Sequence, residues 1–359
     1  MLRSIDYSGL IDPMNPQAVS EFRAVRRDHF GYSQFGDTAK LLLVAGVGVL
    51  VVLIASVPLS AGIGSILGAA FLGSDLNDAF PLLFIGLALL VIAGSGIYVG
   101  VRFVRRNGSP WQRFYRMSRF AEANNLSFAP LETKISYPGL IFGEGGARAI
   151  RNRFQSASGR GLDYGNYEYT TGSGKNRRTH NWGYLALQLD RALPHMVLDA
   201  RANNQLFGIS NLPLTFSKNQ VLKLEGDFNS HFTLYCPEQY ERDALYVFTP
   251  DLMALLIDHA APFDVEVIDK WLLVYSPKPF DLVDPAQHRR LLGIADTVGS
   301  KTLRQSRNYA DEQIGDPLVN LIAPRGQRLK TRTSTLAIVV FSGGIVAWVA
   351  VQFFLDSFN

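Results

Sequence analysis

Glu225 and Asp227, with His231 four residues beyond the second acid, are the groups in this chain whose types and spacing come nearest to acid–base chemistry. Neighbouring carboxylates shift one another's pKa, and an imidazole one turn away can exchange a proton with either. Such work requires a cleft that perturbs those groups. The competing reading is a turn ahead of a strand, with Asp227 capping local amides, and the spacing favours the turn.

A second group is the basic run Lys175, Arg177 and Arg178, which follows Gly172-Ser173-Gly174. A phosphate-binding loop would need a glycine at position 169 and a Ser or Thr after the lysine, where Tyr169 and Asn176 stand, so the motif fails. What remains is a basic tip able to touch lipid phosphates, a partner or RNA, or a solvated turn. Gly143 and Gly145 begin a G-x-G-x-x-G pattern that ends on Arg148, outside any βαβ setting. The six histidines are scattered, and none pairs with another histidine or an acid at metal-ligand spacing. The single Cys236 excludes an internal disulfide or a cysteine cluster. Neither a metal nor a cofactor is expected.

The elements that must position these groups begin with three apolar segments, starting at Leu41, running from Pro81 to Val101, and running from Thr335 to Leu355. Each is long enough for a bilayer crossing, which takes about 20 helical residues. Arg102, Arg105, Arg106, Arg113, Arg116 and Arg119 follow the second segment, and Arg325, Arg328, Lys330 and Arg332 precede the third. The positive-inside rule then predicts a multi-pass protein of the bacterial inner membrane, with the N-terminus and the main domain cytoplasmic and the C-terminus outside. Together the two clusters carry more positive charge than the +4 of the whole chain. The remainder is net acidic, which argues against a broad nucleic-acid footprint.

The predicted fold class is therefore an integral membrane protein with three helical spans and a mixed α+β cytoplasmic domain built on a largely antiparallel sheet. Residues 1–40 form an N-terminal segment with amphipathic character, 41–104 two spans and a short outer loop, 105–332 the α+β domain, and 335–356 the third span. Arg102, Arg105, Arg106 and Arg113, with the Lys175/Arg177/Arg178 tip, are expected to contact anionic lipid or a partner. Gly96 and Gly100 offer a small-xxx-small pattern for helix packing or self-association.

Within the domain, the sequence predicts a helix over 111–125 and a long β-hairpin with strands near 167–171 and 184–189 around the basic tip. Further strands are expected at 196–199, 232–236, 244–248, 265–268 and 271–275, with Asp269-Lys270 as a tight turn between the last two. Thr249-Pro250 and Asp284-Pro285 mark two helix starts.

Leu224, Glu225, Phe228, Phe232 and Tyr235, followed by Tyr246, Thr249, Pro250 and Met253, resemble the LE-x-x-x-F-x-x-x-F-x-V-Y and Y-x-L-T-P-x-F-M segments of an uncharacterised bacterial membrane-protein family. That family carries a cytoplasmic domain of unknown function after two spanning helices. Leu234 and Leu252 depart from its pattern. The resemblance implies a bacterial membrane location and supplies no catalytic residue.

These observations point to a non-enzymatic, membrane-anchored scaffold, sensor or accessory subunit of a larger bacterial membrane complex, with anionic lipids and protein partners and with scope for a homo-oligomer. Two alternatives remain open. One is a membrane enzyme acting on a lipid or nucleotide, with Glu225, Asp227, His231 and the basic tip converging. The other is an oligomeric transporter or channel with a path lined by Ser60, Ser65 and Ser95.

Overall fold

A computed structural model of the chain describes residues 4–26, 35–72, 79–107, 110–158, 161–204, 210–316 and 318–332. They divide into two compact units, 14–115 and a second made of 1–13 with 116–359. The short helix α1 (Ser8–Ile11) belongs to the second unit, and α2 (Pro16–Arg26), α3 (Phe35–Leu72) and α4 (Ala79–Asn107) to the first. The division falls inside α5 (Pro110–Ala123), which fulfils the helix expected there.

In the helical unit, α3 and α4 pack together, and Gly86 meets Leu59. A Cβ on Gly86 would lie 2.7 Å from Leu59 Cγ. A Cβ on Gly96, expected to serve helix packing or self-association, would meet nothing within 4 Å among the described residues. Ser60, Ser65 and Ser95 donate their hydroxyls to Val57, Ala61 and Ile92 carbonyls of their own helices, which meets their hydrogen-bonding needs locally. Phe22 of α2 sets its ring edge-on to Trp111 and Tyr115.

The three-span fold class is corrected here. Among the described residues no helix is long and apolar enough to cross a membrane. The multi-pass inner-membrane placement and its inside–outside orientation lose their support with it. The third expected span lies outside the described residues.

The second unit is an α+β structure around an antiparallel sheet. Its strands are β1 (Leu126–Glu132), β2 (Gly146–Ser156), β3 (Leu162–Thr171), β4 (Arg178–Ala200), the two-residue β5 (Thr215–Phe216) and β6 (Val221–Leu222), β7 (Phe232–Tyr235), β8 (Asp264–Ser276) and β9 (Thr331–Arg332). The main sheet runs β1-β2-β3-β4-β7-β6, with β8 on the other edge of β4, while β5 pairs β9 separately. Helices α6 (Phe228–His231), α7 (Glu241–Val247), α8 (Pro250–Leu255), α9 (Pro285–Ile294), α10 (Ser300–Arg307) and α11 (Pro324–Gln327) complete the order.

The β3–β4 hairpin forms as expected, with Thr171 opposite Arg178 at its tip. Two other expectations change. Residues 244–248 belong largely to α7: Glu241 and Asp243 lie in its first turn, where acids complement the helix dipole, and Ala244 and Val247 are buried three residues apart. Asp269-Lys270 makes no hairpin turn. Strand β8 runs straight through, with Asp269 at a φ of 53°, opposite a stretch of β4 between Gln188 and Leu193 where the register shifts.

Both faces of the sheet are covered. Phe154 and Tyr164 stack 5.1 Å apart and meet Phe120 of α5 and His288 of α9. On the opposite face Ile150, Tyr167, Tyr184, Leu273 and Tyr275 pack under Leu140, Ile141, Phe142, Leu212, Phe216 and Leu329, most of which lie outside long helices and strands. The Asp284 side chain accepts from the Ala286 amide and opens α9 as its sequence predicts. At α8 the Thr249 side chain makes no such bond.

Gly9 of α1 rests directly on the α5 backbone, where an added Cβ would come within 2.5 Å of Phe120 N and 2.7 Å of Arg119 C. Neither backbone atom can turn aside. Gly9→Ala is expected to lift α1 off α5 and disturb the Tyr7–Phe120 stack, destabilising the α+β unit by about 1–3 kcal/mol in urea titrations.

Candidate functional site

Glu225, Asp227 and His231 lie on an exposed turn that leads into β7. His231 Nε2 stands 3.8 Å from Asp227 Oδ2, with side-chain exposures of 38% and 79%, so water screens the pair and nothing encloses it. The Asp227 side chain does not cap α6. Asn229 closes the turn instead, accepting from Leu224 N at 3.1 Å and donating back to Leu224 O. The apolar members of the same segment, Leu224, Phe228 and Phe232, are buried, and the two phenylalanine rings stack 5.2 Å apart. The segment therefore acts in packing.

Lys175, Arg177 and Arg178 are exposed at the hairpin tip. They sit at one end of β4, whereas the Glu225/Asp227/His231 turn adjoins its other end, where Ala200 pairs with Phe232. At ~3.3 Å per residue, β4 spans on the order of 70 Å of strand contour between these points. The two groups do not converge. Arg102, Arg105 and Arg106 fall in α4 with side chains outside the described residues, and the surroundings of Gly100 lie outside them too. Arg113 lies half-buried in α5.

The interior holds polar chemistry that sequence spacing did not reveal. Glu266 of β8 accepts at Oε2 from Tyr275 OH (2.6 Å) and from the Leu140 amide (2.9 Å). Its Oε1 lies 2.8 Å from His195 Nε2. Because His195 Nδ1 accepts the Leu329 amide at 3.0 Å, the ring proton must sit on Nε2, facing Glu266. With exposures of 2% and 0%, this His–Glu pair has no route to a substrate.

Asp163 forms a comparable knot. Its Oδ1 takes Tyr184 OH at 2.6 Å, and its Oδ2 takes Tyr137 OH and the Arg153 guanidinium. Burial, reinforced by the Asp163 charge, raises both tyrosine hydroxyls, so they remain protonated donors. Asp311 likewise receives Tyr240 OH and the Ala323 amide, each at 2.8 Å.

Asp199 of β4 and Asp264 of β8 form the one carboxylate pair among these groups. Burial pushes the Asp264 carboxyl up to about 7, with the Asp199 charge adding to the rise and the Ala200 amide opposing it. Burial also pushes Asp199 up to about 6, against the pull of Ser210, Arg201 and Asn204. Among the described residues no three His, Cys, Asp or Glu side chains gather into a metal-ligating group. The signal for these sites was present but faint: acids set among apolar strand residues, one in Met196-Val197-Leu198-Asp199 and two in Asp264-Val265-Glu266-Val267.

Together the sheet and its buried polar knots define an α+β protein with a largely antiparallel sheet. No family model matches the sequence, and none of the curated proteins does, so the pattern over 224–253 rests on its residues alone. Among solved structures, the crystal structure of the mycobacterial trehalose monomycolate transport factor A, TtfA, is similar over 54% of this chain and 94% of that one, at 13% identity and a TM-score of 0.35. A likeness of that degree carries no argument about this chain's fold or activity.

His288 supplies a pH test. Its Nε2 donates to Leu282 O (2.9 Å), its Nδ1 accepts from Tyr164 OH (3.0 Å), and burial holds it down to about 4. The unfolded imidazole, near 6.5, binds a proton first as pH falls. Stability from this group is therefore complete above pH 6.5 and lost between 6.5 and about 4, with a limit of order 3 kcal/mol. Asp199 and Asp264 act with the opposite sign in part of that window, since their raised values favour the folded state as pH falls. Urea titrations of the parent and His288→Gln at pH 7 and 5 isolate the imidazole. The parent should lose more stability over that interval than the variant.

Proposed function

We propose that this chain is a non-enzymatic accessory or scaffold subunit of a larger assembly, and that it docks a protein partner through the loop that carries Leu318 and Leu321. The observation that carries this reading is that the loop exposes apolar side chains from a fixed backbone. Leu318 is 90% exposed and Leu321 62% exposed. Yet Leu318 N donates to Asp316 Oδ1 (2.9 Å), Arg191 donates to Val319 O (3.1 Å), and Asn320 Oδ1 accepts the Ala192 amide (2.8 Å). The last two bonds join the loop to the irregular part of β4.

Burying a leucine is worth about 1.5–3 kcal/mol, so two leucines held in water are a reserve of binding energy. Holding the backbone in place beforehand lowers the ordering cost of association. The polar surroundings, Asp190, Arg191, Asp316 and Asn320, suit the rim of a protein interface.

The test is site-specific photo-crosslinking in cells at native expression, with the crosslinker at position 318 and a control at the exposed Lys223. A defined protein adduct from 318 and none from 223 is expected. The identified partner, purified, should bind the parent and bind Leu318→Asp/Leu321→Asp at least about tenfold more weakly, a change of ~1.4 kcal/mol. Because both residues are exposed, the double variant should keep its folding stability to within about 0.5 kcal/mol. No adduct from 318, or a partner indifferent to both substitutions, would overturn the proposal.

A further inference from the structure

Strands β4 and β8 pair with Val197 opposite Glu266 and Leu198 opposite Val265. One step further, the register sets Asp199 opposite Asp264, and side chains so opposed share a face with Cβ atoms about 5 Å apart. Asp264 is fully buried and Asp199 is 5% exposed. The Ala200 amide fixes Asp264 through Oδ1 at 2.8 Å, which leaves Oδ2 free.

The following turn, Arg201–Asn203, folds back over this end of the ladder, and Asn203 ties it down by donating to Pro262 O at 2.9 Å. Asn204 then lies against the Asp199 side chain. Three oxygens at this place, Asp199 Oδ1, Asp264 Oδ2 and Asn204 Oδ1, are buried without any hydrogen-bond partner. The buried carboxylates of Asp163 and Asp311 receive donors on both oxygens, and the unbonded Oε1 of Glu266 has the His195 imidazole beside it.

Orphaned acceptors on three neighbouring residues call for a positive charge or a donor. Ser210 and Asn204 pull on the Asp199 carboxyl and Asn203 on that of Asp264, and Arg201 is the basic side chain close enough to influence Asp199, but none of them adds a hydrogen bond to these three oxygens. The donor set is all oxygen, two carboxylates and one amide, with no imidazole or thiolate. That is the preference of hard cations such as calcium rather than of zinc or copper. We propose that Asp199, Asn204 and Asp264 form a binding site for a hard divalent cation, calcium in preference to magnesium. Magnesium retains most of its water shell, which a site of buried protein oxygens does not readily admit.

Such an ion would link the β4 end, the β8 start and the turn after residue 200. It would replace two facing buried negative charges with a coordinated centre. Binding to the folded chain alone would then raise its apparent stability with ion concentration.

The experiment uses the full chain, stripped with chelator, at pH 8. Thermal unfolding is followed with and without millimolar calcium or magnesium, and terbium luminescence serves as a second readout. Tyr235, close enough for its hydroxyl to feel the Asp199 charge, is the expected sensitiser. Calcium should raise the parent's Tm and displace terbium, and magnesium should do less. Asp264→Asn and Asp199→Asn should each keep a cooperative transition but lose the calcium-dependent Tm shift and weaken terbium binding at least tenfold. Tyr235→Phe should dim the luminescence while leaving the calcium shift intact. A parent indifferent to calcium, as expected if water or a shared proton fills the place, would overturn the proposal. So would an undiminished calcium shift in both Asn variants.

Discussion

Strands β4 and β8 are covered on both faces along much of their length, and this burial governs the charged groups they carry there, Asp199, Asp264 and Glu266. A carboxylate placed there has lost its water, and stripping its partner would leave an uncompensated charge at a cost of about 3–5 kcal/mol. The partners come from where the backbone itself is short of them. One layer over the sheet is largely irregular chain, whose amides cannot satisfy each other as helices and ladders do. Glu266 receives the Leu140 amide, and His195, which faces Glu266, receives the Leu329 amide. Asp163 takes Tyr137 from the same layer. Each acid thus solves two problems at once, its own desolvation and the pinning of a segment that has no regular structure to hold it.

Much of the α+β architecture was legible in the sequence because its period is strong. Alternating Leu185, Leu187 and Leu189 marked β4, and the glycine-rich basic run between two such stretches marked a hairpin whose tip falls where expected. Local chemistry misled in places where a competing interaction won. Asp227 has the position of a cap, but the Asn229 amide both donates to and accepts from Leu224, which a carboxylate cannot do. Asp269-Lys270 reads as a turn, yet pairing on either side of it keeps β8 in one piece. The buried acids were the hardest to see. An acid in sequence carries no mark of the strand that will lie across from it, so the opposition of Asp199 and Asp264 follows only from a register set some 65 residues apart in the chain.

The charge asymmetry around the apolar segments gave a topology that the structure does not carry forward. The apolar composition of α3 and α4 is real, and it yields two long helices that pack at Gly86 and Leu59. Helix formation and helix pairing follow from that composition without deciding the surroundings. Of the arginine cluster, Arg102, Arg105 and Arg106 in α4 have side chains outside the described residues, while Arg113, Arg116 and Arg119 belong to α5.

The bond between the Leu329 amide and His195 bears on how this protein is made. Together with the Lys330 amide on Gln220 and the pairing of β5 with β9, it joins the last described stretch of chain to residues more than a hundred positions earlier. The sheet can assemble while those late residues are still inside the ribosome, with Leu140, Ile141, Phe142, Leu212 and Phe216 already made and able to lie over Tyr184, Leu273 and Tyr275, but the place that Leu329 fills stays open until it emerges. During that interval His195 and Gln220 wait for their backbone partners. Synthesis therefore passes through a state in which the sheet is formed and its last clasp is not, a natural point for truncated products to aggregate.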